Sequence, residues 1–196
     1  MKKIGITANQ GSGKTFVINE FSKIGIPTLI MDNVVKELQT NNKEVIKELS
    51  NRFPEGFPNG LLDKFKMREI LFNDLSGKNK LDISIIIQPY LMNEINLFFE
   101  KNKDEDYVLV ESALIFEYSM DKIFDDIIFI DSDPILRKEK AILRDNITSE
   151  EYDLRMKDQI SDNEKRIKCK YVIFNDFTNN VIDEVFKTNN KIKKNI

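Results

Sequence analysis

The chain contains no histidine. The commonest general base, the commonest metal ligand and every Ser-His-Asp triad are therefore excluded. Acid–base chemistry falls to Asp, Glu, Lys, Tyr or Cys. There is a single cysteine, Cys169. A disulfide framework is excluded, the chain fits a reducing compartment, and Cys169 reads as a structural thiol. No run of 18 or more apolar residues occurs, so no membrane-spanning helix is expected. Met1–Ile6 carries two lysines, but its apolar stretch is too short for a signal peptide. A cytoplasmic location is expected. An excess of basic residues is lacking too: 30 Lys and Arg face 33 Asp and Glu, for a net charge of −3. That removes the whole-molecule electrostatic footprint of a nucleic-acid-binding protein.

What is present is ordinary for a globular chain. Its 196 residues are 41% hydrophobic and 32% charged, which suits one domain with insertions. A chain of this length buries roughly 70% of its unfolded surface and needs no staples. Short apolar runs predict strands at 4–8, 28–31, 107–110, 127–130 and 171–174. Helical periodicity is seen at 16–24, 33–38, 44–53, 64–75 and 81–101, the last interrupted or restarted at Pro89. Strands alternating with helices predict a parallel α/β sheet. Residues 135–170 are helical in pattern and heavily charged, as a solvent-facing lid would be. The Lys- and Asn-rich end, 187–196, reads as a frayed terminus.

The first strand runs into Ala8-Asn9-Gln10-Gly11-Ser12-Gly13-Lys14-Thr15, and a helix follows. This is the phosphate-loop pattern G-x-x-x-x-G-K-[ST] with Ala8 in place of its first glycine. Gly11 and Gly13 permit the backbone turns that bring N–H groups close to phosphate. The helix N-terminus adds orphan donors and a positive dipole end. Lys14 supplies a compact charge to the terminal phosphates, and Thr15 a hydroxyl to Mg²⁺. Gly11, Ser12, Gly13, Lys14, Thr15 and Phe16 are the expected ATP-binding residues. Ala8 matters only if its position needs a positive φ.

Three acidic or basic sets can work with this loop. Asp32 follows the second strand, where ligands of open α/β sheets bind; it reads either as a base for an attacking hydroxyl or as a helix N-cap. Glu111 ends the strand Tyr107–Val110 in the manner of a Walker-B acid behind Mg²⁺, or is an ordinary strand-end carboxylate. Arg137, Lys140 and Arg144 share a helical face and form either a phosphate clamp or a solvated charged surface. For 162–170 the solvated reading is the stronger.

From Ile4 to Asp176 the chain resembles the dephospho-coenzyme A kinase family. The glycine loop is followed, in the family's order, by Ile30-Met31-Asp32-Asn33-Val34-Val35-Lys36 and by Asn59-Gly60-Leu61-Leu62-Asp63-Lys64. Gln88-Pro89 comes next, where the family has His-Pro, then Glu111-Ser112-Ala113-Leu114-Ile115-Phe116-Glu117 and Asp131-Ser132-Asp133-Pro134. Arg144-Asp145, Gln159, Glu164-Lys165-Arg166 and Asn175 complete the series. Departures fall at Ile30, Lys36, Lys64, Gln88, Ala113 and Cys169-Lys170; lysine for arginine loses a bidentate fork.

The resemblance implies ATP-dependent phosphorylation of the ribose 3′-hydroxyl of dephospho-CoA. The expected fold is a three-layer P-loop α/β structure with a parallel five-stranded sheet, a helical substrate-binding insertion and a lid. The core would comprise residues 1–32, 104–137 and 167–190, the acceptor insertion 33–103 and the lid 138–166, with 191–196 a frayed tail. Lys14, Asp32 and Arg144 would be catalytic. Asp32, Lys36, Lys64 and Gln88 would bind the acceptor, and Thr15, with Glu111 behind it, would serve Mg²⁺. The implied partners are ATP and dephospho-CoA, with no nucleic acid or membrane and a monomer or weak homo-oligomer. A nucleotide or nucleoside kinase of the same architecture, and a nucleotide-binding regulatory protein, remain as alternatives.

Overall fold

The computed structural model describes all 196 residues except Leu75 and Asn179. Its strands are β1 (Lys2–Ala8), β2 (Thr28–Ile30), β3 (Tyr107–Glu111), β4 (Asp126–Asp131) and β5 (Tyr171–Phe174). The α-helices are α1 (Lys14–Lys23), α2 (Met31–Asn41), α3 (Lys43–Arg52), α4 (Lys64–Phe72), α5 (Lys78–Lys101), α6 (Pro134–Asp145), α7 (Ser149–Met156), α8 (Asp162–Lys168) and α9 (Asn180–Lys193). The strands form one parallel sheet in the order β2-β3-β1-β4-β5, with helices flanking it in a three-layer arrangement.

The order explains where the site lies. The chain leaves central β1 towards one edge, returns as β3, then crosses to β4 and β5 on the other side. Ligands of such sheets bind beyond the carboxyl ends of the strands at this reversal. Register sets those ends side by side: Ile6 opposite Glu111, Ala8 opposite Ile130 and Asp131 opposite Phe174. The middles of the inner strands are apolar, because both faces are covered. Ile4, Ile6, Val108–Val110 and Ile128–Ile130 have no exposed surface.

The chain divides into two compact units, Met1–Leu29 with Lys101–Ile196, and Ile30–Glu100. The first holds the sheet, α1 and α6–α9. The second is helical, and its core gathers Leu38, Val45, Leu49, Phe53, Phe57, Met67 and Ile87. Local signals build its elements: the Asn42 side chain caps α3 and that of Asp63 caps α4. Gly56 packs against Met67, whose Cε lies 2.7 Å from where a Cβ would stand.

Several elements differ from expectation. The second strand stops at Ile30, the last extended residue (φ −100°, ψ 110°), and Met31 opens α2. Asp32 is therefore in the first turn of a helix, and Ile30 rather than Asp32 is the N-cap. Residues 81–101 belong to one helix that starts at Lys78 and continues through Pro89. The expected end of the 64–75 helix, Leu75, lies outside the described residues. The tail is helical to Lys193, because Ile192 is fully buried and holds the last turn down; residues 191–193 are not frayed. The 162–170 segment is not a solvated face throughout either, since Lys165 has no exposed surface.

Candidate active site

The glycine loop joins β1 to α1. Gly11 (φ 90°) and Gly13 (φ 78°) both adopt left-handed conformations, which side chains resist. Space forbids a side chain as well. A Cβ on Gly11 would stand 2.2 Å from the Arg137 carbonyl oxygen, and one on Gly13 would stand 2.3 Å from Asn175 Nδ2. Ala8 ends β1 and is not among the positive-φ residues, so the missing first glycine costs the loop nothing in strain.

The loop is braced from below. Asn175 Nδ2 donates to the Ser12 carbonyl at 2.9 Å, and the Ser132 hydroxyl donates to Ser12 Oγ at 2.9 Å. Both braces sit just past the ends of β5 and β4, and all three residues are buried. Sequence reading singled out neither as a brace, because a buried Ser or Asn announces no periodic signal.

Above the loop, the first N–H groups of α1 are left without a side-chain cap, as the Gly13 N-cap has no side chain to offer. Helices α3, α4, α6, α7 and α8 all carry one, from Asn42, Asp63, Asp133, Thr148 and Ser161. Uncapped donors at a glycine-lined helix start suit an anion.

Lys14 and Glu111, at the first turn of α1 and the end of β3, form an ion pair with little exposure. Thr15 is exposed on the same turn, and Phe16 is 45% exposed beside it. Among the described residues no three His, Cys, Asp or Glu side chains converge to hold a metal. The local donors are one hydroxyl and one carboxylate. Both are hard oxygens of the kind that suit Mg²⁺, and two are too few to cage it alone.

The charged helical segment folds over this loop. Arg137, nearly buried on α6, donates from Nη1 to Asp162 Oδ1 at 2.6 Å. Arg144, exposed at the end of α6, forms a fork on Asp145 through Nε at 2.8 Å and Nη2 at 3.0 Å. Lys140 Nζ lies 4.7 Å from the centroid of the Phe177 ring, within cation–π range. The expected face of three cations thus divides into one buried pair, one aromatic contact and one exposed fork. Arg166 pairs with Asp131 at the end of β4.

Lys165 is the buried cation that sequence reading missed. Its Nζ donates to the Ala113 carbonyl at 3.1 Å and lies 3.4 Å from Glu117 Oε1. Burial pulls its pKa below the usual lysine value, and the Glu117 charge opposes that. The neighbouring Cys169 thiol is pushed up to about 12 by burial, which keeps it protonated and inert.

Asp32, Lys36, Lys64 and Gln88 all belong to the helical unit and are exposed. Asp32 and Lys36 are one turn apart on α2, Lys64 opens α4 next to its cap Asp63, and Gln88 lies on α5 before Pro89.

The path of the chain follows those of several solved structures. It matches TT1252 from Thermus thermophilus with a TM-score of 0.83 and 24% identity, covering 97% of this chain and 96% of that one. It matches the dephospho-CoA kinase from Campylobacter jejuni with a TM-score of 0.66 and 21% identity over 98% of each. A shikimate kinase from Acinetobacter baumannii follows at 0.58 and 14%, covering 100% of this chain and 94% of that one. With its glycine loop, uncapped α1 and sheet order, the molecule has a P-loop α/β fold.

Sequence similarity is narrower. The model of the dephospho-CoA kinase family matches residues 2–181. The dephospho-CoA kinase of Hydrogenovibrio crunogenus is 31% identical over 154 residues, 77% of each chain. That of Bacteroides fragilis is 30% identical over 186 residues, 94% of this chain and 90% of its own. The chain belongs to the dephospho-CoA kinase family.

Proposed function

We propose that this chain transfers the γ-phosphoryl group of ATP to the ribose 3′-hydroxyl of dephospho-CoA, giving coenzyme A and ADP. Family membership across residues 2–181 supports the substrates. The observation that carries the donor half is the glycine loop: two left-handed glycines where no Cβ fits, leading into a helix whose first N–H groups lack a side-chain cap.

The residues divide the work by chemistry. Backbone N–H groups of Gly11–Phe16 bind the phosphates. Lys14 exchanges Glu111 for phosphate oxygens, and Thr15 offers its hydroxyl to Mg²⁺, with Glu111 behind. Held by Thr15 with Glu111 behind, Mg²⁺ would neutralise charge on the phosphates of ATP. The acceptor oxygen attacks the γ-phosphorus in line, the bond to the bridging oxygen breaks, and that oxygen leaves on ADP with the electron pair. Asp32 receives the hydroxyl proton. Arg144 steadies the charge spread over the transferring oxygens. Lys36, Lys64 and Gln88 hold the acceptor. The protein works in the cytoplasm, as a monomer or weak homo-oligomer.

An acceptor panel tests the assignment. With ATP and Mg²⁺, dephospho-CoA is expected to release ADP at about 1–100 s⁻¹, the usual range for kinases. Nucleosides and nucleoside monophosphates are expected to be slower. Faster turnover with one of those overturns the acceptor. Nucleotide binding without acceptor-dependent turnover overturns the kinase reading in favour of regulation.

A further inference from the structure

Two residues at the freely variable positions of the glycine loop meet the charged helices, Asn9 through its side-chain amide and Gln10 through its side chain and backbone. Gln10 donates from Nε2 to Asp145 Oδ2 at 2.9 Å and from its backbone N–H to Gln159 Oε1 at 3.3 Å, and its carbonyl accepts from the Tyr152 hydroxyl at 3.1 Å. Asn9 is 2% exposed and donates from Nδ2 to Asp162 Oδ1 at 2.7 Å, the same oxygen that takes Arg137 Nη1. These contacts reach α6, α7, the turn after it and α8.

Asp145 joins this system to Arg144. It holds the Arg144 fork, lies 3.5 Å from Arg155 and accepts from Gln10. Its carboxyl sits below the usual carboxylate range, chiefly through the Arg144 hydrogen bond, with Gln10 adding to it. A neighbouring Arg–Asp pair as exposed as this one is weak alone, and its side chains wander. A third group fixed in the backbone of the phosphate loop removes that freedom, in the way outer partners orient the ligands of a metal.

We propose that Gln10 is a positioning residue for phosphoryl transfer. Through Asp145 it sets the direction of the Arg144 guanidinium relative to the loop that grips the donor. Binding of ATP is left to the loop's backbone and Lys14. The inference rests on the reading of Arg144 as a phosphate clamp.

The test uses the full chain with ATP, Mg²⁺ and the best acceptor of the panel. Gln10→Leu keeps the side-chain volume and deletes the donor. It is expected to lower kcat about tenfold, the worth of one charge-assisted hydrogen bond, with KM for ATP unchanged within about twofold. Asp145→Asn is expected to do the same, and the double variant to lose no more than either single one. ATP hydrolysis without acceptor, relative to transfer, is expected to rise as the loosened segment admits water. Wild-type kcat in Gln10→Leu, or losses that multiply in the double variant, overturns the proposal. If Gln10→Leu lowers the melting temperature, Asp145→Asn, which leaves the loop untouched, carries the test by the same criteria. Arg144→Ala separates the two levels. If it keeps wild-type kcat, the clamp reading has failed. If it is impaired while Gln10→Leu is not, only the positioning role has failed.

Discussion

The sheet-bearing unit and the helical unit place their candidate residues in opposite ways. Around the glycine loop, polar groups are buried and pinned: Asn9, Ser12, Glu111, Ser132, Lys165 and Asn175 all fall below a tenth exposed. In Ile30–Glu100 the core is wholly apolar, and Asp32, Lys36, Lys64 and Gln88 stand on the surface. A phosphate is gripped by backbone donors, whose directions are set by packing beneath them. An acceptor is recognised by side-chain ends, which tolerate substitution while the scaffold below is kept. Of the departures from the family pattern, Ile30, Lys36, Lys64 and Gln88 fall in the helical unit, and Ala8, Ala113 and Cys169-Lys170 in the sheet-bearing unit.

The contrast is open to attack from the largest effect downwards. Lys14→Ala removes the loop's charge and is expected to cut kcat about a thousandfold, the upper range for a lost charge-stabilising donor. A variant with wild-type turnover contradicts the donor site. Lys165→Met leaves the half-buried Glu117 without its cation, and breaking a buried pair costs about 3–5 kcal/mol, so a loss at or below the low end of that range is expected here. Denaturant unfolding is expected to show that loss, and Lys165→Met with Glu117→Leu to recover much of it. An undiminished midpoint in the single variant contradicts the pinned network.

Asp32→Asn is expected to lower kcat about a hundredfold, in keeping with loss of a general base, while nucleotide affinity stays level by calorimetry. Parallel loss of both places Asp32 in the scaffold of α2 and erases the contrast. The smallest effect compares two glycines. Gly60 has φ 75° with nothing within 4 Å of where a Cβ would stand, so Gly60→Ala costs only the left-handed penalty of about 1–2 kcal/mol. Gly11→Ala adds a collision with the Arg137 carbonyl and is expected to weaken ATP binding as well. Equal behaviour of the two in a binding titration removes the special status of the loop.

Periodicity made most elements legible. The five strands fall at their apolar runs, and the glycine loop lies between strand and helix as its motif requires. Boundaries moved where a local preference met a tertiary one. Val34, Val35 and Leu38 announce α2, but nothing local says that it starts at Met31. Pro89 looked like a break, yet the helix continues around it with Ile87 and Ile95 buried. Of the site, Gly11–Thr15 was evident because backbone needs constrain residue type. Asn9, Gln10, Asp145 and Asp162 were not, because a hydrogen bond between residues 135 or more positions apart leaves no periodic trace.

Chain chemistry alone excluded histidine catalysis and disulfides, and it supplied a phosphate grip, a parallel sheet and the resemblance to one kinase family. Those features depend on residue type, short-range order and spacing. Which charges became structural was settled by folding. Lys165 reads as part of a solvated run, and Arg137 as part of a phosphate clamp or a solvated face; once α6 and α8 pack over the glycine loop, burial demands a partner for each charge. Arg144, from the same charged helix, stayed in solvent, aimed by Asp145 and Gln10. The physical reason is that desolvation and partner geometry exist only once distant segments have met.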